Sequence, residues 1–436
     1  MNSNEFSASV GMSRKWDAYE AGREVARNII ENLKSPPNFF LLTSSIHYKK
    51  DGFEKLLNGV LSVLPEGTPL IGGSVAGFIN NYGCFSRGVS ALSVSYPNMD
   101  VSIGYGQNTK RNPKKATINC ISKISNELKN SNFQHPFLLD IISSGIVPQL
   151  PGMERKRVIK SKMTSFIASR GLGFSLKFLQ KGAGRDEEIL DYIINKNIND
   201  GEEYNILSGS ATDDINQLIN YQFYNDKILT NSIVAMGLKS DLQNQVYSTH
   251  GLKETGIEFN ITETDSSKRL VNKINDNDAV PELLKILNWP ESFLDEDIYK
   301  RIFYYPIYTI SADGKKYPLV IPYFLSNSLL FAFKLRSKNA ELLTLSGKDL
   351  INAVKENIEY FQTILHNKKP CFGLISSCGM RILTLGKNVN LVKNQLSEFY
   401  GKTPFLLYYV AGEGSYSPIN GLTQGNYTFN MGNFWQ

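Results

Sequence analysis

The sequence of 436 residues has few cysteines and few histidines, and neither residue type is grouped. No C-x-x-C pair occurs, which argues against a zinc site, a thioredoxin motif and covalent haem attachment, and fits a reducing compartment. The histidines have no metal-ligand spacing, so we predict no metal site. The residues concerned are Cys84, Cys120, Cys371, Cys378, His47, His135, His250 and His366.

Long apolar runs and a leader sequence are also lacking. The start, Met1-Asn-Ser-Asn-Glu, has neither the basic nor the apolar region of a signal peptide. The longest apolar stretch, 319–333, is interrupted by Pro322 and by the polar segment 326–328, and it is too short to span a bilayer. We therefore predict a cytoplasmic protein without a membrane partner.

The common catalytic signatures are missing as well. The sequence has no G-x-S-x-G elbow, no phosphate-binding G-x-x-x-x-G-K-[ST] loop and no H-E-x-x-H, and the glycines near residue 72 do not form G-x-G-x-x-G. The net charge is only +6, and two basic clusters, 110–115 and 155–162, are interpreted as solvated surface. Without a basic face that carries base-stacking aromatics, we predict no nucleic-acid partner.

The most informative feature that is present is a strand-helix-strand unit that occurs twice. Residues 403–412 align without a gap on 68–77, and residues 372–377 align on 40–45. A weaker copy begins at Pro136. Such repeats are the first pattern to seek in a sequence. We predict an α/β fold of internally duplicated strand-helix-strand units, whose mixed sheets are layered with helices in an αββα-like order.

Apolar spacing and changes in composition suggest where the regions begin and end. The apolar spacing predicts a long helix from about Ser346 to His366, with Ser346 as the N-cap. Residues 1–13 are polar and are expected to be loose. The predicted regions are a helical lead-in at 1–38, an N-terminal region with two repeated units at 39–265, a linker with short helices at 266–300 and a C-terminal region at 301–436.

Small residues recur at the ends of three predicted strands, as Gly72-Gly73-Ser74, Ser208-Gly209-Ser210 and Ala411-Gly412-Glu413. Open α/β sheets bind ligands beyond the carboxyl ends of their strands, and small residues let the backbone approach a ligand closely. These turns are therefore candidate ligand contacts. Alternatively, glycine only permits a tight turn or close packing there. The sequence leaves both interpretations open.

Arg381, Cys378 and Glu413 are the candidate chemical groups beside these turns. The planar guanidinium of Arg381 suits a ligand carboxylate, and Glu413 suits an ammonium, so together they suit a zwitterion such as an amino acid. The alternative for Arg381 is an internal ion pair with Glu413. Cys378 is a reactive thiol only if a positive neighbour lowers its pKa; otherwise it is a small buried side chain.

At these residues the sequence resembles the FIST family, the sensory domains named for F-box and intracellular signal transduction proteins. The resemblance covers about 39–431. The matching segments are Ser377 to Arg381 with Leu385-Gly386, Pro404 to Glu413, Asn426 to Thr428, and Pro69 to Gly77. In the last of these, Gly73 and Phe78 stand where the family usually has cysteine and glutamate.

The resemblance implies an intracellular sensor that binds a small ligand, with amino acids or their derivatives as the proposed class. It adds Asn426 and Thr428 to the candidate ligand-binding residues. Relatives are often fused to kinase, cyclase or chemotaxis outputs. Because this chain has no room for such a domain, we expect a separate signalling partner to read its state. The sequence carries no signal for an oligomeric state.

Two alternatives remain. The first is a haem-based gas sensor, because some similar sensors bind haem; a histidine such as His366 would then be the axial ligand. Otherwise we predict no cofactor. The second alternative is an enzyme that acts on a small carboxylate or amino-acid metabolite through Cys378, Arg381 and Glu413. The lack of an acid-base histidine and of a nucleophile motif weighs against the enzyme.

Overall fold

The computed structural model describes residues 5–50, 52–146, 156–161, 163, 184–214, 216–311, 314–366 and 368–436. Within these ranges the strands form three six-stranded sheets and one nine-stranded sheet. The three smaller sheets come from three successive units, each with the order strand, helix, strand, helix, strand, hairpin, strand. The predicted α/β fold with mixed sheets layered with helices is confirmed.

The first unit begins with a strand where a loose segment was predicted, because Ser7 to Ser13 pair antiparallel with the last strand of the unit. The side chain of Asp17 caps its first helix by accepting a hydrogen bond from the Glu20 N–H. The elements of this unit are β1 (Ser7–Ser13), α1 (Ala18–Ile30), β2 (Phe39–Ser45), α2 (Phe53–Leu61), β3 (Leu70–Val75), β4 (Gly77–Asn80), β5 (Gly83–Phe85) and β6 (Val89–Ser95).

The second unit follows directly. Only part of the basic cluster 155–162 lies within the described residues, and its two-residue strand belongs to the nine-stranded sheet. The elements are β7 (Met99–Gln107), α3 (Pro113–Leu128), β8 (His135–Ser143), β9 (Val158–Ile159), α4 (Asp186–Asn199), β10 (Asn205–Ala211), β11 (Gln222–Tyr224), β12 (Lys227–Leu229) and β13 (Ser232–Ser240).

The third unit is interrupted after its first strand, β14 (Gln243–Thr249), and resumes at residue 347. The predicted N-cap is confirmed: the Ser346 hydroxyl accepts a hydrogen bond from the Asp349 N–H at 3.2 Å. After the interruption come α7 (Gly347–Leu365), β23 (Phe372–Cys378), α8 (Met380–Leu385), α9 (Val389–Tyr400), β24 (Phe405–Val410), β25 (Glu413–Ser417), β26 (Gly421–Gly425) and β27 (Phe429–Trp435), where the numbering allows for the elements of the interruption.

The interruption is a folded body with an apolar core and eight of the nine strands of the larger sheet, the ninth being β9 of the second unit. The segment 266–300, which we predicted to be a linker, lies inside this body, and Val271, Ile274 and Leu283 are fully buried in its core. Its elements are β15 (Leu252–Thr264), β16 (Leu270–Ile274), β17 (Asn277–Asp278), α5 (Ala279–Ile286), α6 (Ile298–Ile302), β18 (Ile307–Ile310), β19 (Lys316–Leu319), β20 (Tyr323–Leu325), β21 (Ser328–Leu330) and β22 (Asn339–Leu345).

The three units interlock because each gives its hairpin to another unit's sheet. The centre of each sheet is a parallel pair: β2 with β3, β8 with β10, and β23 with β24. On one side, two antiparallel strands of the same unit complete the sheet. On the other side lies a borrowed hairpin: β11–β12 joins the first sheet, β25–β26 the second and β4–β5 the third.

The inner faces of the three sheets share one apolar core, to which they contribute residues such as Leu41, Leu139 and Leu374. Helices cover the outer faces, with a separate apolar layer under each set. Three sheets therefore surround the core, one more than the αββα-like order requires. Because the burial of apolar area is the main favourable term in folding, this common core ties the units together.

The strand pairing also corrects the predicted alignment of the first strand by one residue. The Phe40 N–H donates to the Pro69 carbonyl, and the equivalent bond in the third unit comes from Gly373 to Pro404. Phe39, rather than Phe40, therefore corresponds to Phe372, and both face the shared core. A shift of one residue moves every side chain to the opposite face of a strand.

Candidate functional site

The second strands of the three parallel pairs, β3, β10 and β24, end at the same place. There the three strand ends are hydrogen-bonded to one another in a ring. The Thr212 N–H donates to the Ser74 carbonyl at 2.9 Å, Ala411 N–H to Ser210 at 3.0 Å, and Ala76 N–H to Tyr409 at 2.9 Å. All three predicted small-residue segments are thus brought to one place. We call the contact between β10 and the β24–β25 connection, centred on Ser210 and Gly412, the junction.

The first of these segments, Gly72-Gly73-Ser74, is not a turn but lies within β3. A Cβ atom at Gly72 would lie 1.9 Å from the Leu42 carbonyl oxygen, and one at Gly73 would lie 2.9 Å from the Ile141 side chain. These glycines permit close packing between and across sheets. The Ser74 hydroxyl is occupied, since it accepts from the Tyr221 N–H at 3.0 Å.

The second segment, Ser208 to Ser210, lies within β10, whereas Gly412 lies in the connection between two strands. Gly209 packs against Tyr408 and Val410 of the shared core. The Ser210 N–H donates to the Gly412 carbonyl at 2.8 Å. The structure therefore brings Gly209, Ser210 and Gly412 together at the junction.

Glu413 is the first residue of β25 and is buried on the core side of the junction. It pairs with Gly209, and directly paired antiparallel residues share a face. Its Oε2 accepts from the Thr428 hydroxyl at 3.3 Å, and Oε1 has no hydrogen-bond partner. Burial raises the pKa of this carboxyl group well above its usual range, although the neighbouring Cys378 thiol and the hydrogen bond from Thr428 oppose the shift.

Cys378 ends β23 beside this carboxyl group and is itself buried. Burial, together with the negative charge of Glu413, raises the pKa of its thiol well above the usual value. A reactive cysteine needs the opposite shift, because the thiolate is the nucleophile. Cys378 therefore matches the alternative of a small buried side chain.

Arg381 lies in α8, and its guanidinium group is hydrogen-bonded to backbone carbonyls. Its guanidinium donates to Tyr427 at 3.0 Å, to His250 at 3.3 Å and to Leu350, and it lies over the ring of Phe429. Burial lowers its pKa to about 10. Among the described residues it forms no ion pair with Glu413. The sequence left open a free carboxylate-binding group or an internal ion pair with Glu413, and the structure shows neither.

Asn426 and Thr428 hold the segment between the junction and the inserted body. The Asn426 amide oxygen accepts from the Val320 N–H at 3.2 Å, and its Nδ2 donates to the Ala411 carbonyl at 3.4 Å. The Thr428 hydroxyl accepts from Asn430 Nδ2 at 3.4 Å while it donates to Glu413. Both predicted residues therefore touch the surroundings of Glu413 and Gly412.

Three ionisable residues at the junction were missed by the sequence analysis: Lys110, Asp140 and Asp186. Lys110 belongs to the cluster that we interpreted as solvated, yet its side chain is fully buried. Asp186 is in the acidic first turn of a helix, where capping is the usual explanation. Asp140 is flanked on both sides by apolar residues of β8. This position was the one signal in the sequence for a buried acid.

Burial governs the acids of this group. It raises the pKa of Asp140 to about 7 and that of Asp186 to about 6, while serine hydroxyls oppose both shifts. Asp140 accepts from Ser208 at 2.6 Å, and Asp186 accepts from Ser210. One oxygen of each carboxyl group has no hydrogen-bond partner. Buried polar atoms without partners are rare in proteins and call for a physical explanation.

The histidines do not gather at this site. Both ring nitrogens of His250 are used, with the Leu252 N–H at 3.0 Å and the Tyr308 hydroxyl at 3.1 Å. His366 is exposed and caps α7 in the left-handed conformation. Over the described ranges, no group of three or more His, Cys, Asp or Glu residues is arranged to hold a metal ion. None of the helices in those ranges has the length and apolar character needed to cross a membrane.

The comparison with family models agrees with the resemblance seen in the sequence. The model of the FIST N domain matches residues 38–277, more than half of the chain. The chain therefore belongs to the FIST family. FIST domains are sensory domains of signal transduction, which makes this chain a member of a sensory class. No curated protein matches the sequence.

Solved structures show only remote similarity. A cyanuric acid hydrolase from A. caulinodans is 5% identical over 54% of this chain and 71% of its own, with a TM-score of 0.28. PurLQS from Thermotoga maritima is 10% identical over 99% of this chain and 72% of its own, and PurL of T. maritima complexed with FGAR is 11% identical over 99% and 73%; both TM-scores are 0.19. At such scores the similarity supports no conclusion about fold or function.

Proposed function

We propose that this chain is a cytoplasmic sensory protein that binds a small molecule at the core side of the junction. The proposed ligand class is an amino acid or a related metabolite, and a separate signalling partner reads the bound state. All four cysteines are free thiols, which fits a reducing compartment. The proposal concerns this site and its ligand, beyond the sensory class that the family gives.

The observation that carries the proposal is the free oxygen of Glu413. This Oε1 is buried and has no hydrogen-bond partner, although the other oxygen is held by Thr428. Leaving a buried acceptor unpaired costs free energy, about 1–3 kcal/mol, which a ligand ammonium or hydroxyl would recover. A carboxyl group that is fixed on one side and free on the other is suited to receive a ligand donor.

The remaining predicted residues divide into contacts and supports. Thr428, which bonds the carboxyl group, and Gly412, which precedes Glu413 in the chain, are the proposed contacts, with Gly209 and Cys378 beside them. Ser210 supports this segment through its main-chain bonds to Ala411 and Gly412, because its hydroxyl lies on the other face of β10. Arg381 holds the carbonyl of Tyr427, the residue before Thr428, so it positions a contact rather than making one. Gly72, Gly73 and Ser74 support the ring of strand ends from the first unit.

The inserted body gives the site a route to a partner. Phe333 of that body packs against Gly412, and the Val320 N–H donates to Asn426. A ligand that shifts the segment 411–428 therefore also shifts the contact with the body. An equilibrium of this kind responds only as far as the ligand prefers one arrangement, which binding at Glu413 would provide.

The test is binding by a variant that keeps the shape of Glu413 but removes the acid. Glu413→Gln is nearly isosteric with the neutral carboxyl group, and Glu66→Gln is the matched control, because Glu66 is exposed in a turn. We expect native mass spectrometry and a thermal-shift screen of amino acids and common metabolites to give a ligand that stabilises the wild type. Glu66→Gln should bind equally well, and Glu413→Gln about tenfold or more weakly.

Equal binding by Glu413→Gln would remove Glu413 from the site. Turnover of the ligand would favour the enzyme instead, although the raised thiol pKa of Cys378 and the occupied guanidinium of Arg381 give that alternative no support. A haem sensor would show a Soret band in an absorption spectrum of the pure protein. His366, exposed at a helix end, and His250, with both nitrogens occupied, are poorly placed to be its axial ligand.

A further inference from the structure

Lys110 and Asp186 form a second polar group, on the helix-covered side of the junction. Asp186 accepts from the hydroxyl of Ser210, which lies on the face of β10 opposite to Gly209 and Glu413. The sheet therefore separates this pair from the carboxyl group of the proposed sensory site. Neither residue takes part in the function argued above.

Lys110 is fixed at its main chain and unsatisfied at its side chain. Its N–H donates to the Asn231 side-chain oxygen at 3.0 Å, and its carbonyl accepts from Arg185 at 3.4 Å. These bonds hold the residue between β7 and α3, so the side chain does not extend to solvent, and it is fully buried. Its ammonium group has no hydrogen-bond partner.

Asp186 is the anionic counterpart of this lysine. It is the first residue of the 14-residue helix α4, where the helix field favours a negative charge. One oxygen accepts from Ser210 and the other, Oδ1, is buried without a partner. The charges of Lys110 and Asp186 influence each other, yet no ion pair within 4.0 Å joins them. Each thus offers one unused hydrogen-bonding atom.

The neighbouring charges do not fill this need, because they are paired among themselves. Glu187 forms a buried ion pair with Arg269 of the inserted body, and the Lys334 N–H donates to the same carboxylate at 3.1 Å. Arg185 pairs with Glu188 at 2.5 Å. Lys110 and Asp186 therefore remain as one positive and one negative group that influence each other, each with a buried atom that has no hydrogen-bond partner.

We propose that Lys110 and Asp186 form a second ligand site, which takes a small zwitterion with adjacent carboxylate and ammonium groups, such as an α-amino acid. The lysine ammonium donates to the carboxylate, and Asp186 Oδ1 accepts from the ammonium. An anion alone would leave Asp186 unpaired, and a cation alone would leave Lys110 unpaired. Among charged ligands, a molecule with both charges satisfies both buried atoms and offsets the desolvation of both.

The experiment offers the standard L-α-amino acids, one at a time, to the full chain and measures the thermal shift, followed by calorimetry for those that stabilise it. For each of these, the corresponding acid without the amino group is the matched ligand. The variants are Lys110→Met and Asp186→Asn. The control is Lys114→Met, an exposed lysine in the first turn of α3.

We expect at least one amino acid to bind the wild type, with a Kd about tenfold to a hundredfold weaker in Lys110→Met and in Asp186→Asn, and unchanged in Lys114→Met. The corresponding acid without an amino group should bind the wild type no more tightly than it binds Asp186→Asn. If Lys110→Met binds every stabilising amino acid as tightly as the wild type does, the proposal is overturned, and the binding belongs to the site at Glu413. The absence of any shift in the wild type also overturns the proposal, and would mean that only water bridges the two groups.

Discussion

Arg381 and Lys110 are both fully buried cations, and they differ in what surrounds the charge. The guanidinium of Arg381 meets three backbone carbonyls and an aromatic ring, so its donors have partners. The ammonium of Lys110 meets none. The buried charge that is satisfied by the main chain holds the fold together, and the unsatisfied one is available for a ligand.

The comparison also explains why the more conspicuous residue is the poorer candidate for binding. Arg381 stands beside a glycine-rich strand end in a sequence that suggests ligand recognition. Its fork of donors is equally suited to tie α8 to the start of α7 and to the segment before Thr428. A group that already holds several elements can be removed only at the expense of the structure.

The largest expected effect is therefore that of Arg381→Ala on stability. The change leaves the carbonyls of Tyr427, His250 and Leu350 without their donor in a buried place. We expect a loss of about 3–5 kcal/mol in the free energy of unfolding. Denaturant unfolding followed by circular dichroism measures it.

The control is Arg27→Ala, an exposed arginine near the end of α1, which should change the stability by no more than about 0.5 kcal/mol. A stable Arg381→Ala protein that has lost only its ligand would reverse the assignment. Arg381 would then belong to the binding site, as the sequence suggested.

What the sequence predicts well here is local. The Ser346 cap and the apolar spacing after it predict α7, and the apolar run at 372–378 predicts β23, because these signals lie within the elements themselves. The burial of Lys110 depends on Asn231 and Arg185, which are distant in the sequence. A lysine in a basic run carries no local sign of that environment.

The exchange of hairpins is beyond sequence reasoning for the same reason. Phe78 of the first unit pairs with Tyr408 of the third, and Glu413 of the third pairs with Gly209 of the second. A hairpin pattern indicates two strands and a turn, but it does not say which sheet the outer strand joins. The candidate site lies at such a contact, so its residues were found one by one and not as a group.

Lys110→Met should have the opposite effect to Arg381→Ala. Burial lowers the pKa of Lys110 from 10.5 to about 8, so the folded protein is penalised at any pH below about 8, where the lysine is charged in both states. The penalty disappears as the pH rises from about 8 to 10.5, because the folded state releases its proton first. Replacing the charge should raise the free energy of unfolding at pH 7 by up to about 3 kcal/mol.

Thermal and denaturant unfolding of Lys110→Met and of its control Lys114→Met, at pH 7 and again near pH 10, check this expectation. The gain should be confined to Lys110→Met and should shrink at the higher pH. A loss of stability at pH 7 would show that the ammonium has a structural partner, and the contrast with Arg381 would no longer hold.

The smallest effect is expected from Asp186→Asn, and it concerns the slope of stability with pH. Burial raises the pKa of Asp186 to about 6 from 3.8, so between these values the unfolded chain loses a proton that the folded chain keeps. Stability should therefore fall as the pH rises from about 4 to 6, by up to about 3 kcal/mol in total, because the pKa shift is slightly smaller than that of Lys110, and then level off. Asn keeps an oxygen for the Ser210 hydroxyl and cannot ionise, so its protein should lack this part of the slope. If the wild type and Asp186→Asn show the same pH dependence, Asp186 is already ionised at pH 4 by a close positive partner, and Lys110 is not the unpaired charge described here.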